Sequence, residues 1–341
     1  MKKFKIILRF GIVIVLLFWI VVVFLPRPQS VAGVNPLRIQ DDEKPILIAH
    51  GGGNKEFPDN TLEAFYHAYS IDPNCMLETD VSITKDNVII LSHDIMLDRK
   101  TTLQNALIEE MNYSDLIADE VDFNYQNAVN EEGYRTDGNL VKYNNYLGEE
   151  VSPLDVVYPA GILPRHDTVF LATTLEELII AFPNNLINVE IKQGGEVGLK
   201  ALREVIFLMD QLDSTYHTFE RIVLASFHKD VYQALVDYKT STHPELLFSP
   251  EASNIIQLLL LHYLKLDWFY RSPVSVLQLP VKQSNINLAT KAFIATAHKH
   301  NIAVHYWTID DEETMRMLIK NKADGIMTNI PSLLKQVLAE E

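Results

Sequence analysis

The chain has one cysteine, Cys75, in 341 residues, so no intramolecular disulfide can form and no cysteine-based zinc site can be built. Cys75 reads as a small, half-buried residue at the start of a strand. Bases are scarce as well: 29 Lys and Arg against 45 Asp and Glu give a formal charge of −16. The first 25 residues hold Lys2, Lys3, Lys5 and Arg9 and no acid, which leaves 25 bases against 45 acids, or −20, for the remainder. That surface argues against nucleic acid as a partner, because phosphate backbones are held by clustered Lys and Arg. A small anionic substrate stays open where local cations or a metal offset the field. The sequence also lacks GxSxG, HExxH, P-loop and EF-hand patterns, so the mechanisms they carry have no support. The triple glycine Gly51 to Gly53 lacks GxGxxG spacing and does not lead straight into a helix, and reads instead as a stretch whose backbone N–H groups can approach an anion, with Gly51 the substrate-binding candidate. No internal repeat or low-complexity tract is apparent.

One long apolar run is present. Phe10 to Leu25 is uninterrupted, and with Ile6 to Leu8 it approaches the roughly 20 residues needed to cross hydrocarbon. Four bases precede the run, while Arg27, Arg38 and Lys44 are mixed with three acids after it. The expectation is a single-pass anchor over 1–25, with the N-terminus cytoplasmic and the rest of the chain outside the cytoplasm, periplasmic or extracellular. A signal segment cut near "SVA" (30–32) is the alternative. Residues 26–44, with two prolines and a polar tail, read as a tether.

With 48% apolar residues, the remaining chain can bury one large α/β domain or two smaller ones. Short apolar runs occur at 46–50, 76–83, 186–192, 222–227, 245–250, 275–280, 303–309 and 324–329. Amphipathic stretches separate most of them, including "NTLEAFYHAYS", "TTLEELIIAF", "GLKALREVIFLMDQL", "DVYQALVDY", "NLATKAFIATAHKH", "EETMRMLIKN" and "SLLKQVLAE". Parallel neighbours need crossover connections, so this alternation predicts a (β/α)8 TIM barrel over 45–341, with a doubly wound sheet as the runner-up. The run 87–94 follows the second strand after only "TKD" and should pair with it as an antiparallel hairpin. The connection 103–168, rich in Asn, Tyr and acids, is long enough to form a lid or small subdomain.

In such a barrel the polar residues at the C-terminal strand ends share one mouth. Those ends carry His50, Glu78 with Asp80, Glu190 with Lys192, Ser226, Gln278, Trp307 and Asn329, and the hairpin adds His93 and Asp94. Residues two apart on a strand face the same way, so Glu78 and Asp80 both face the lumen, as do Glu190 and Lys192. Three buried acids need a cation among them. With no cysteine ligand, a hard divalent ion such as Mg²⁺ or Ca²⁺ suits them, and a salt-bridged layer around Lys192 is the plainer alternative. His50 and His93 supply groups that exchange protons near neutral pH. The other histidines, among them His67, His228, His298 and His300, sit mostly on helical or loop stretches and read as structural. In "PDNTLEAF", Asn60 or Thr61 should cap a helix, with Asp59 in the preceding turn.

These residues resemble the glycerophosphodiester phosphodiesterase family, which shares a barrel superfamily with the phosphatidylinositol-specific phospholipases C. The resemblance runs from about Pro45 to Pro331 and is carried by "AHGGG…PDNTLEAF…LETDVSITKDNVIILSHDIMLDRKTT", followed in order by "NVEIK", "LASF", "YWTID" and "DGIMTNIP". It implies metal-dependent hydrolysis of glycerophosphodiesters, or of lysophospholipids, to glycerol phosphate and an alcohol. By position, His50 and His93 match the family's acid/base pair, Glu78, Asp80 and Glu190 its metal ligands, and Lys192 its phosphate-side cation. Trp307 and Phe227 match its contacts to the glycerol end.

The chain departs from the family pattern at three positions. Gly51 stands where an arginine usually follows the first histidine, and Lys192, the metal or Arg165 are the candidates to compensate for that lost phosphate contact. Asp59 replaces the common Glu, and Asn329 replaces the common Asp, a change expected to alter structure more than chemistry. Barrel and metal site alone do not choose the scissile bond. A phospholipase with another bond preference, or a catalytically silent barrel that binds a lipid headgroup or a protein, are therefore the alternatives.

Overall fold

A computed structural model describes residues 2–40 and 43–341, with side chains described from Arg9 onward. The elements in chain order are α1 (Lys2–Phe24), β1 (Ile46–His50), α2 (Leu62–Ile71), β2 (Met76–Ile83), β3 (Ile89–Leu91), α3 (Tyr113–Ala118), α4 (Leu175–Ala181), β4 (Ile187–Ile191), α5 (Gly195–Tyr216), α6 (Thr218–Arg221), β5 (Ile222–Ala225), α7 (Lys229–Ser241), β6 (Leu247–Phe248), α8 (Ala252–Leu264) and β7 (Val276–Leu279). A small hairpin of β8 (Lys282–Gln283) and β9 (Ile286–Asn287) follows, then α9 (Lys291–Lys299), β10 (Ala303–Tyr306), α10 (Glu312–Lys320), β11 (Gly325–Thr328) and α11 (Pro331–Glu340). Helix starts follow local chemistry. Thr61, Thr290 and Asp311 cap α2, α9 and α10 with side-chain oxygens, and Thr174 with Glu177 forms a reciprocal capping box on α4.

Eight strands run parallel in the order β6-β5-β4-β2-β1-β11-β10-β7. The last seam is bridged where Ser275 N–H donates to the Phe248 carbonyl at 2.9 Å. The sheet therefore bends into a nearly closed barrel, and the doubly wound alternative falls because its two edges meet. β3 pairs antiparallel with β2, Val81 opposite Leu91, as the short connection over residues 84–88 requires. The helix α8 has no counterpart among the amphipathic stretches read from sequence. Its residues "ASNIIQLLLLHYL" are apolar on nearly every face, so no 3.6-residue alternation marks it.

Inward-facing residues form two layers. The lower is apolar: Ile48, Met76, Val223, Leu247, Val276, Ala303 and Met327 pack around Leu37. Leu37 belongs to the stretch read as a tether, and that reading is corrected here. Asn35 Nδ2 donates to the carbonyls of Ser275 (2.8 Å) and Asn301 (2.9 Å), and the Leu37 carbonyl accepts from His305 Nε2 at 3.1 Å. Leu37 has no exposed surface, because it closes the N-terminal end of the barrel where the strand ends would otherwise leave an apolar floor open to water.

The N-terminal segment is helical, yet among the described residues no helix is long and apolar enough to cross a membrane. Its described apolar stretch, Phe10 to Phe24, rises about 22 Å against a hydrocarbon core of about 30 Å. The span expected over 1–25 is therefore not supported, and the side chains of Lys2, Lys3, Lys5 and Ile6 to Leu8 lie outside the described residues. The C-terminal end of α1 is tied to the barrel by Arg27, which donates to Asp267 at 2.6 Å through Nε.

Leu37→Ala should lower unfolding free energy by about 2–5 kcal/mol, because it opens a cavity under the lumen. Urea denaturation of the two proteins measures this, and an unchanged midpoint would refute the plug.

Candidate active site

The upper layer of the same inward rows is polar. Strand pairing sets His50 opposite Glu78 and Asp80 opposite Glu190, so the parallel register alone gathers side chains that lie far apart in sequence. Ser226 leaves this group, since its hydroxyl donates outward to the Ile191 carbonyl at 3.0 Å. Gln278 stays in the lumen and donates to Asn188 Oδ1 at 2.7 Å.

Glu78, Asp80 and Glu190 each offer an oxygen within 4.8 Å of the others. Glu78 and Asp80 are 2% exposed, so their mutual repulsion is barely screened. Burial, and after it the Asp80 charge, pushes the Glu78 carboxyl up to about 8. Lys192 bonds to Glu190 at 2.8 Å and lies 3.4 Å from Asp80. One ammonium cannot balance three carboxylates, so the donor set fits a hard divalent cation better than a closed salt-bridge layer.

The first glycine of the triple serves this cluster rather than a bare anion site. Gly51 N–H donates to Glu78 Oε2 at 2.9 Å, while the N–H groups of Gly52 and Gly53 close a turn on Ala49 and His50. The turn needs glycine: at Gly52 φ is +84° and a Cβ would lie 2.7 Å from Ala64 Cβ. Thr61 takes the helix cap expected of it or of Asn60. Asn60 instead reaches the site, donating to Asp80 Oδ2 at 3.2 Å and accepting from Asp80 N–H at 3.1 Å. Its sequence signal was only its place before the cap.

The two histidines are oriented by different means. Asn329 Nδ2 donates to the Asp310 carboxylate at 2.7 Å, and since a carboxylate only accepts, the amide oxygen must be the atom facing His50. His50 Nδ1 therefore donates to it at 2.6 Å and leaves Nε2 toward the lumen, 3.9 Å from Glu78. Asn329 thus bears on His50 directly, a larger part than the structural change expected of it. Burial alone would lower His50, but the charges of Glu78 and Asp80 with the Asn329 bond raise it above the usual histidine range. His93 Nδ1 donates to Asp94 at 2.9 Å. That bond, acting against burial, raises His93 as well. Each ring presents Nε2 as its free nitrogen.

Phe227 is 74% exposed and meets Trp307 edge to face, ring centres 6.3 Å apart, forming an aromatic rim. Arg165 does not compensate for the missing arginine. It donates to Glu63, Glu177 and the carbonyls of Leu171 and Ala172, which pin the end of the insert to α2 and α4. The insert itself carries little regular structure and folds onto the turn after β1, through Tyr143 Oη to the Asn54 carbonyl (2.9 Å) and Tyr146 N–H to the Lys55 carbonyl (2.7 Å). The histidines read as structural are engaged within the protein: His67 with Glu56, His298 with Asp324, His300 with the Pro28 carbonyl and His228 with that of Lys192.

A parallel barrel that gathers two histidines and three carboxylates able to hold a cation at its mouth has the makings of a metal-site barrel enzyme. Residues 50–333 match the glycerophosphoryl diester phosphodiesterase family, and the chain belongs to that family. It is accordingly a phosphoric diester hydrolase. Human lysophospholipase D GDPD1 is 26% identical over 312 residues, covering 85% of each chain. The glycerophosphodiester phosphodiesterase of Caldanaerobacter subterraneus is 26% identical over 300 residues, covering 85% of this chain and 96% of its own. The glycerophosphoryl diester phosphodiesterase domain of a Mycobacterium tuberculosis protein superposes with a TM-score of 0.60 at 14% identity, over 86% of this chain and 99% of that one, which shows the shared fold.

With Glu78 pushed up to about 8 in the metal-free site, the carboxyl is mostly protonated at pH 7 and must ionise to bind a cation. Mg²⁺ or Ca²⁺ binding at pH 7 should release a proton, and affinity should rise with pH up to about 8. Calorimetry in buffers of different ionisation enthalpy reads the proton count, and zero protons released would refute the assignment.

Proposed function

We propose that this chain hydrolyses glycerophosphodiesters to glycerol phosphate and an alcohol, and lysophospholipids to the acylated glycerol phosphate and an alcohol. The observation that carries this reading is the pair of histidines with free Nε2 atoms at the same mouth as the Glu78, Asp80 and Glu190 cluster. Mg²⁺ or Ca²⁺, held by those three acids, supplies charge neutralisation at the phosphoryl oxygens when bound. His50 and His93 divide the proton work. One Nε2 takes the proton of the attacking hydroxyl, water's or the glycerol's own, and the other gives a proton to the leaving alcohol. Asn329 and Asp94 accept from the two Nδ1 atoms, which leaves the base a bare Nε2 and lets the acid, as an imidazolium, give its Nε2 proton.

Lys192 faces the phosphate in place of the arginine that Gly51 lacks, and the Gly51 backbone orients Glu78 beside it. Trp307 and Phe227 cover the glycerol end with apolar surface. The names of the relatives, lysophospholipase D and glycerophosphodiester phosphodiesterase, support both substrate classes. For location, we propose that α1 lies against a membrane and holds the barrel there. The exposed apolar side chains Phe10 and Ile12 to Val21 support that reading.

Turnover of glycerophosphocholine and lysophosphatidylcholine by the full chain with Mg²⁺ or Ca²⁺ tests the activity. Chelator should abolish it, and Glu78→Gln, His50→Ala and His93→Ala should each lower kcat by about 10²–10⁴-fold. A folded, metal-binding protein without turnover would replace this reading with that of a headgroup-binding barrel. Turnover that releases free fatty acid would instead assign a different scissile bond.

A further inference from the structure

One arginine beside the site is engaged on two sides by acids. Arg99 lies in the loop after β3, five residues beyond Asp94. Its Nε donates to Asp94 Oδ2, and its terminal fork donates to both oxygens of Asp59, Nη1 to Oδ1 at 3.3 Å and Nη2 to Oδ2 at 3.2 Å. A guanidinium has two edges that can grip an oxyanion bidentately, the terminal fork and the Nε side. The fork is closed on Asp59 and Nε on Asp94, so neither edge is open to grip a phosphate bidentately.

The bonds continue beyond the two acids. Asp94 Oδ1 accepts from His93 Nδ1 at 2.9 Å. Asp59 Oδ2 accepts from Asn60 Nδ2 at 3.2 Å, and the same Nδ2 lies 3.2 Å from Asp80 Oδ2. Lys100, buried beside them, sits 3.4 Å from Asp59 Oδ2 and adds positive charge without a fork. Gly51 takes part as well, because a Cβ there would lie 2.9 Å from Asp59 Cβ. The bare Gly51 thus lets Asp59 sit against the turn, where its carboxylate meets the Arg99 fork.

We propose that Arg99 is a positioning residue of the phosphodiesterase site. By gripping Asp94 and Asp59 together it holds His93 and Asp80 in one hydrogen-bonded frame, His93–Asp94–Arg99–Asp59–Asn60–Asp80. The side chain of His93 is 49% exposed and that of Asp94 20%, so little packing would otherwise fix the ring. Without Arg99 the Asp94 carboxylate is free to turn into solvent, and His93 loses the acceptor that keeps its proton on Nδ1. The proposal rests on the phosphodiesterase reading.

Full-length Arg99→Ala, Arg99→Lys, Asp94→Asn and the Arg99→Ala/Asp94→Asn double variant test it on glycerophosphocholine with Mg²⁺. Arg99→Ala should lower kcat on the order of 10- to 100-fold, with KM within about twofold, as misplacement of a catalytic group predicts. Added guanidinium should restore part of the loss. Arg99→Lys, which has no fork, should fall between Arg99→Ala and the native protein. The double variant should lose no more than the worse single one. The ¹⁵N-coupled signal of the His93 Nδ1 proton should be lost in Arg99→Ala and persist in the native protein. A rise in KM with kcat unchanged would make Arg99 a substrate ligand and overturn the proposal. Additive losses, or an intact His93 signal in Arg99→Ala, would overturn it too. If the native protein cleaves no phosphodiester, the functional reading fails, while the His93 signal still decides the frame.

Discussion

Crowding of negative charge at one end of a barrel governs the arrangement of this protein's mouth. Glu78, Asp80 and Glu190 share a space a few ångströms across, and water is largely excluded from two of them. At that separation and low polarity, burial and the neighbouring Asp80 charge raise the Glu78 and Glu190 carboxyls above their ordinary range. The surrounding structure answers with donors: the Gly51 amide on Glu78, Asn60 on Asp80 and the Lys192 ammonium on Glu190. The residual imbalance is what makes the cluster a place for a divalent ion. The glycine turn, the left-handed Asn60 at φ 59° and the inward Lys192 all serve the same carboxylates.

The barrel brings this cluster together by a simple device. Alternate residues of each strand face inward, and the parallel register sets neighbouring strands level with one another. Moving up each row, apolar residues give way to polar ones: Ile48 to His50, Met76 to Glu78 and Asp80, Met327 to Asn329. The lower layer, sealed by Leu37, excludes water from below, and the upper layer opens to the mouth. Packing and chemistry are therefore stacked in the same rows, and a one-residue slip of any strand would exchange its contribution for a residue meant for the helices.

Most of the eight strands were legible because their apolar runs are short and separated by amphipathic helices, and the site residues because they sit two apart at the strand ends. What escaped did so for physical reasons. The helix α8 is too uniformly apolar to show a period. The stretch around Leu37 looks like a polar tether because a plug needs only a few matched groups, Asn35 and Leu37 among them, to bind a barrel floor. Ser226 lies one residue out of phase with its inward neighbours, which local sequence does not reveal when the strand ends at Ala225. Asn329, Asn60 and Arg99 act through partners 279, 20 and 40 residues away, and no local pattern encodes such a distance.

The sequence by itself determined the family, the alternation of strands and helices, the identity of the acids and histidines, and the exclusion of an intramolecular disulfide and a cysteine-based zinc site. The family follows from the motifs that resemble it, and the rest from composition and from periodicities of two and 3.6 residues, which are local properties of the chain. Only the tertiary structure decided which nitrogen each histidine presents, which cations remain for a phosphate and how the metal-type carboxylates are held. Those outcomes depend on hydrogen-bond direction between groups that meet only when the barrel closes. The Asp310 carboxylate fixes the Asn329 amide, and the amide fixes His50. The Asp59 and Asp94 carboxylates occupy both edges of Arg99, and Lys192 remains as the ammonium beside the acids.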